Sequence, residues 1–144
     1  MRLILLDGMS PALETYLPFI TTSYSKTLRN SCNYFSAMPT SLFFPKAKES
    51  LLNLIEDGSI SLLVDSEDLD LIMGYCLYNK SRKKIDIVFI KRVFRGNGLM
   101  RMLVPFEFLD EDVLYYTLFL SKSNLKLRSC SIFKDINLSF NPYL

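Results

Sequence analysis

The hydrophobic pattern of this chain predicts an α/β fold: a mixed sheet with helices on both of its faces. Three observations carry that prediction. Short apolar runs of strand length recur at residues 2–6, 60–64, 71–78, 85–91 and 113–120. Stretches with helical spacing separate the first two runs and follow the fourth. The polar, basic stretch 79–84 joins the third and fourth runs as a hairpin, which places antiparallel pairing in the sheet.

The elements follow in order. Residues 2–6 form the first strand, and Asp7-Gly8 a turn. Ser10 then caps a helix with Pro11 at its first position, and Leu13, Tyr16, Leu17 and Ile20 recur at helical spacing. Pro18 kinks or divides this helix, and residues 21–30 continue it as a second piece. Residues 30–41, rich in Ser, Asn and Thr and containing Pro39, read as a loop that carries Tyr34, Phe35 and Met38. A helix spans 45–56, with Ala47, Leu51, Leu54 and Ile55 on one face, and Asp57-Gly58 ends it. After the strand at 60–64 comes an acidic turn, 65–70, and then the strand 71–78 with Gly74 inside it. Beyond the 85–91 strand, residues 98–109 form a helix kinked at Pro105, and 113–120 a strand. Residues 122–133 fit helix or strand equally. No repeat or linker is visible, so residues 1–144 are expected to form a single domain.

Composition narrows the chemistry. The chain has no histidine, which excludes Ser-His-Asp and Cys-His machinery and removes the commonest nitrogen ligand of zinc. Acid–base work must fall to carboxylates, Tyr, Lys, Cys or water. Cys32, Cys76 and Cys130 are far apart and odd in number, so reduced thiols are expected rather than a disulfide framework. At 49% hydrophobic residues the chain is globular. Its net charge of +2 gives no global support for nucleic-acid binding. No apolar run is long enough for a membrane span and the start is too short for a signal sequence, so the expected compartment is the cytoplasm.

The chemistry concentrates in residues 85–103, IDIVFIKRVFRGNGLMRML. A strand leads through a basic turn into a glycine-bearing loop and then a helix. Glycine lets a ligand come close to the backbone, and unpaired N–H groups at a helix start favour phosphate. No P-loop is present, and Gly96-x-Gly98 lacks the third glycine of a dinucleotide fingerprint.

Arg95-Gly96-Asn97-Gly98-Leu99-Met100, five residues after the β-branched Ile90, resembles the pyrophosphate loop of the GNAT superfamily, the acetyl-CoA-dependent N-acetyltransferases. That family's motif is Arg/Gln-x-x-Gly-x-Gly/Ala, from which Met100 departs with a long side chain. The order of elements is similar as well. The layout, with YLPFITTSYSKTLRNS near the start and a terminal FNPYL, is most similar to small GNAT-like proteins of tailed bacteriophages.

The resemblance implies a GNAT-like, mostly antiparallel central sheet, with acetyl-CoA as cofactor and an amine of a protein or small molecule as acceptor. It implies that Arg95, Gly96, Asn97, Gly98, Leu99 and Met100 hold the pyrophosphate. Backbone groups at Phe89, Ile90 and Lys91 would position the thioester. Region 30–41 would border the acceptor. Asn124 matches the Asn of the family's late Asn-x-x-x-Ala-x-x-x-Tyr pattern, but Arg128 and Ile132 fill the other places, so that Tyr is absent and Tyr143 or Tyr116 is the candidate acid in its place.

Asp86, the only acid in its apolar strand, shares a face with Ile90 by period-two alternation and is a candidate base; its alternative is pairing with Lys83 or Lys84. Eight of the 17 basic residues lie between Lys80 and Arg101, which suits coenzyme A phosphates or a solvated hairpin. Two further readings stand beside the enzyme: a GNAT-fold binding or assembly factor without catalysis, phage-encoded and acting in the host cytoplasm, and a nucleic-acid module using the basic stretch.

Overall fold

The computed structural model describes residues 1–111, 113–116, 131–133 and 135–141. Its elements are β1 (Arg2–Asp7), α1 (Leu13–Arg29), α2 (Asn33–Ala37), α3 (Thr40–Asp57), β2 (Ser59–Val64), β3 (Ile72–Asn79), β4 (Lys84–Ile90), α4 (Leu99–Leu103), β5 (Val113–Tyr116) and β6 (Asn137–Phe140). Short 3-10 turns lie at Arg92–Phe94, Phe106–Asp110 and Ser131–Phe133. The six strands form one sheet in chain order. The pairs from β1 to β4 are antiparallel, and β4–β5 and β5–β6 are parallel. A parallel step needs a crossover of a dozen or so residues, which α4 and the turn after it supply. The predicted α/β class with a mixed, mostly antiparallel sheet is the one the chain adopts.

Two apolar clusters clothe the two faces. On one, Tyr16, Ile20 and Tyr24 of α1 and Leu51 and Ile55 of α3 pack on Ile60, Leu62, Tyr75 and Leu77. On the other, Leu99 and Leu103 of α4, with Val104 and Phe108, cover Leu63, Cys76, Tyr78 and Ile85. Successive residues of β2 go to opposite clusters, as a strand covered on both faces requires.

Several boundaries differ from expectation. Ser10 does not cap the first helix: its Oγ accepts the Asp7 N–H at 2.9 Å and serves the turn instead. Helix α1 starts at Leu13 and runs unbroken through Pro18, because its buried face continues on both sides of the ring. Helix α3 starts at Thr40, so Pro45 lies inside it; the N–H groups of Leu42 and Phe43 bond the Pro39 carbonyl, and buried Phe43 anchors this early turn. The expected loop at 30–41 contains α2. The expected helix over 98–109 is only Leu99–Leu103. Val104, preceding Pro105, is extended at φ −71°, ψ 130°, as proline forces on its predecessor. Strand β6 was not expected at all. Among the described residues no helix is long and apolar enough to cross a membrane.

Candidate functional site

At the end of β4 the chain turns through Arg92–Phe94 into the glycine loop. Gly96 (φ 82°) and Gly98 (φ 73°) are both left-handed, a conformation that costs other residues about 1–2 kcal/mol. No atom lies within 4 Å of where a Cβ would stand on either, so the glycines serve backbone conformation and open access, not packing. The loop is braced by its own side chains: Arg95 Nε donates to the Ile90 carbonyl at 2.8 Å, and Asn97 Nδ2 to that of Phe94 at 3.2 Å. Leu99, buried, pins the loop's far end to the second cluster. Because α4 has five residues, it contributes little of the helix dipole that the longer expected helix would have given. What remains for an anion is the loop's own backbone N–H groups. Met100 turns its side chain against the second cluster and is only partly exposed, so it fills the interior behind the loop.

The three backbone positions expected to hold a thioester separate. The Lys91 N–H is taken by the Met73 carbonyl at 2.9 Å. Alternation along an antiparallel strand turns Phe89 the same way, toward Tyr75, and leaves the N–H of Ile90 on the β5 side. Among the described residues β5 pairs with β4 only at Lys84 and Ile85. Gly74 lets β3 lie close to this end of β4: a Cβ there would meet the Phe89 carbonyl oxygen at 2.6 Å.

Asp86 falls at a break in the strand's alternation. The β3–β4 register steps from Leu77↔Ile87 to Tyr78↔Ile85, which makes Asp86 the extra residue of a β-bulge. Ile85 therefore belongs to the same cluster as Val88 and Ile90, while Ile87 and Phe89 pack in the other. The bulge interrupts strict period two at Asp86, so alternation alone no longer assigns its side chain to the face of Ile90. Its Oδ1 sits 2.9 Å from Lys84 Nζ, and the two side chains are 1% and 5% exposed. Its charge reaches Cys76, whose thiol burial pushes far above the usual range, with Asp86 adding to the shift. It also adds to the upward shift of the Tyr24 hydroxyl, again caused first by burial.

The basic stretch is partly neutralised. Lys80 pairs with Glu107 at 3.1 Å, Lys83 with Glu111 at 2.9 Å, and Lys84 with Asp86. Lys91 lays its ammonium 4.9 Å from the centre of the Phe19 ring. Arg92, Arg95 and Arg101 are exposed around the loop. The sequence did not single out the aromatic group here. Phe19, Phe89 and Tyr75 meet at 5.4–6.4 Å, and the Tyr75 hydroxyl is 2.9 Å from Ser23 Oγ. Phe19 lies beside Pro18 in a helix whose spacing drew attention to Ile20 instead, so periodicity offered no signal for it.

In the 30–41 region, Arg29 spans to the carbonyls of Ser36 and Met38 and lies over the Phe43 and Phe44 rings, while Tyr34 is exposed. Tyr116, one of the two tyrosines offered as an acid, is 2% exposed within the second cluster. Asn124 and Tyr143 lie outside the described residues. Among those described, no group of three His, Cys, Asp or Glu is placed to hold a metal.

Fold similarity falls on acetyltransferases. A crystal structure from Staphylococcus aureus subsp. aureus, assigned to the GNAT family of acetyltransferases, is similar over 72% of this chain and 84% of its own, with a TM-score of 0.50 and 14% identity. A second structure, of a probable acetyltransferase, is similar over 98% of this chain and 78% of its own, at a TM-score of 0.44 and 13% identity. No protein-family profile matches the sequence, and a search of curated proteins finds no match. The first likeness shows a GNAT-like fold.

Proposed function

We propose that this chain is an acetyl-CoA-dependent N-acetyltransferase acting on an amine of a protein or small molecule. The observation that carries the reading is the pair of open, left-handed glycines at the end of β4, in a GNAT-like sheet whose fourth strand runs parallel to its fifth. The fit is sterically sound: the loop's outer side is clear at both glycines, Met100 is turned inward, and exposed arginines flank the approach.

Acetyl-CoA, when bound, would supply an acetyl group activated as a thioester. The chain's own part is binding and placement. Main-chain N–H groups from Gly96 to Met100 would hold the pyrophosphate, with Arg92, Arg95 and Arg101 adding positive charge. Arg95 also ties the loop to Ile90, so phosphate binding and the end of β4 are mechanically joined. The Ile90 N–H is the backbone donor that alternation leaves on the β5 side of the strand, where it would stabilise charge on the acyl oxygen.

Asp86 is committed to Lys84 in the interior, and we assign it a supporting role under the strand rather than that of base. The acceptor ammonium would lose its proton to solvent before attack, and we propose Tyr143 as the proton donor to the departing thiolate. The sequence resemblance also supports a phage origin, and with it a place in the host cytoplasm. The burial of Asp86 favours one alternative, a non-catalytic binding factor on the same fold.

Calorimetric titration with acetyl-CoA tests the reading, using the intact chain, Arg95→Glu and Gly98→Asp. Binding by the intact chain and its loss in both variants supports the cofactor site, and thiol release with a panel of amines supports the enzyme. Absence of binding by the intact chain refutes both.

A further inference from the structure

Strand β1 is the outer strand of the sheet among the described residues, paired with β2 alone. An outer strand carries a row of backbone N–H and C=O groups open to pairing. The two faces of β1 are treated differently. Ile4 and Leu6 pack toward α1 and α3. Leu3 and Leu5 point to the other face and are 44% and 65% exposed. There they line a depression of about 420 Å³ together with Met102, Pro105, Phe106 and Leu109. Met102 is 42% exposed and Phe106 is 75% exposed.

This face is built by the same event that shortens α4. Pro105 ends the helix at Leu103, and the Ser61 hydroxyl donates to the Leu103 carbonyl, holding the helix over β2. The chain beyond presents Phe106 beside β1 without covering Leu3 and Leu5. The Lys80–Glu107 ion pair and Arg101 form a polar rim. An apolar centre with a polar rim is the usual anatomy of an interface.

Leu3, Leu5, Met102 and Phe106 present on the order of 400 Å², within the range of the largest apolar patches on monomers. A standard interface needs roughly 800 Å² per partner, so an occupant must use the open backbone of β1 and the polar rim as well as the leucines, and a second β1 offers all three.

We propose that a second copy of this chain closes the face, with β1 pairing antiparallel to its counterpart across a two-fold axis at Ile4. A two-fold axis perpendicular to the sheet preserves its faces, and directly opposed residues must share a face. Centring on Ile4 sets Leu3 opposite Leu5 of the second copy, and Leu5 opposite its Leu3. Four leucines then lie side by side between the two Phe106 turns. Arg2 falls opposite Leu6, so the like charges of the two copies do not meet. The pairing makes one continuous sheet and uses no part of the loop after β4, so it stands apart from the acetyltransferase reading.

Light scattering and sedimentation over roughly 1–100 µM, where an interface of this size is expected to associate, test the proposal. The intact chain is expected to be dimeric. Leu5→Lys and Phe106→Glu should weaken the dimer at least about tenfold, while Leu69→Lys, an exposed leucine on the 65–70 turn, should leave it intact. Circular dichroism checks that each variant is folded; if Leu5→Lys is not, Phe106→Glu, in an exposed turn, decides alone. Amide exchange in β1 should slow with rising concentration in the intact chain only. A chain that stays monomeric, whatever other protein it captures, or a dimer indifferent to the face variants, overturns the proposal.

Discussion

Lys84→Met tests how β4 is held. Lys84 and Asp86 make contact at 2.9 Å with side chains 5% and 1% exposed, so this pair differs in kind from Lys46–Glu49, whose side chains are 68% and 63% exposed. A surface pair contributes about 0–1 kcal/mol. Removing the ammonium from the interior leaves a carboxylate without its counter-charge, for which about 3–5 kcal/mol is the usual cost. That is a large part of the roughly 5–15 kcal/mol that holds an ordinary domain folded. For a chain of 144 residues, at about 2–4 °C per kcal/mol, the midpoint should fall by roughly 10 °C. Replacing both partners, Lys84→Met with Asp86→Leu, should recover most of the loss, since an apolar pair of similar volume avoids the desolvation cost altogether. The assay is urea unfolding followed by circular dichroism, with the single and double variants compared in a mutant cycle. A Lys84→Met chain within about 1 kcal/mol of the parent, or a double variant no more stable than the single, would refute the reasoning.

Two glycines should separate conformation from packing. Gly98→Ala should cost about 1–2 kcal/mol through its left-handed backbone alone and weaken acetyl-CoA binding, whereas Gly74→Ala should cost about 1–3 kcal/mol by overpacking against the Phe89 carbonyl; urea unfolding and calorimetry read both. Burial holds the Cys76 thiol neutral far above its ordinary range. The unfolded chain releases that proton above about pH 8.5 while the folded chain keeps it, so stability is full below that pH and declines above it, by up to about 1.4 kcal/mol per pH unit. Cys76→Val should flatten this part of the stability–pH curve, measured by urea unfolding, until the buried tyrosines Tyr24 and Tyr75, also shifted upward by burial, take over at higher pH. Arg95→Ala, which removes the brace on the Ile90 carbonyl, should weaken acetyl-CoA binding by roughly tenfold, the equivalent of one charge-assisted contact of about 1.4 kcal/mol. Equal affinity in the calorimeter would show that the loop needs neither its charge nor its brace.

The strands and the loop were legible because their signals are local. Apolar runs bounded by turn residues located β2, β3 and β4 within a residue or two, and the glycines at 96 and 98 announced a backbone that other residues resist. What escaped depended on tertiary contacts. Pro45 reads as a helix start on intrinsic grounds, yet Phe43 finds a buried seat that begins the helix at Thr40. Pro105 reads as a kink within a longer helix, yet the extended Val104 before it ends the helix at Leu103. The bulge left no trace because residues 85–90, IDIVFI, are apolar on both sides of Asp86; with both faces of the sheet covered, the run shows no alternation that an extra residue could break. For the same reason the candidate base was assigned a direction from a rule that the strand does not obey at that point.

Omit Asp86 and the assignment of β4 side chains to the two clusters alternates without a break from Ile85 to Ile90. The residue behaves as a single-codon insertion tolerated by the ladder. Its deletion, together with neutralisation of Lys84, would restore an even frame while leaving every apolar neighbour on its present side. A change of one residue near 79–84 can be taken up at this bulge without altering the faces of the side chains from Ile87 to Ile90. A strand with such slack allows its turn to diverge while the geometry at the other end is kept.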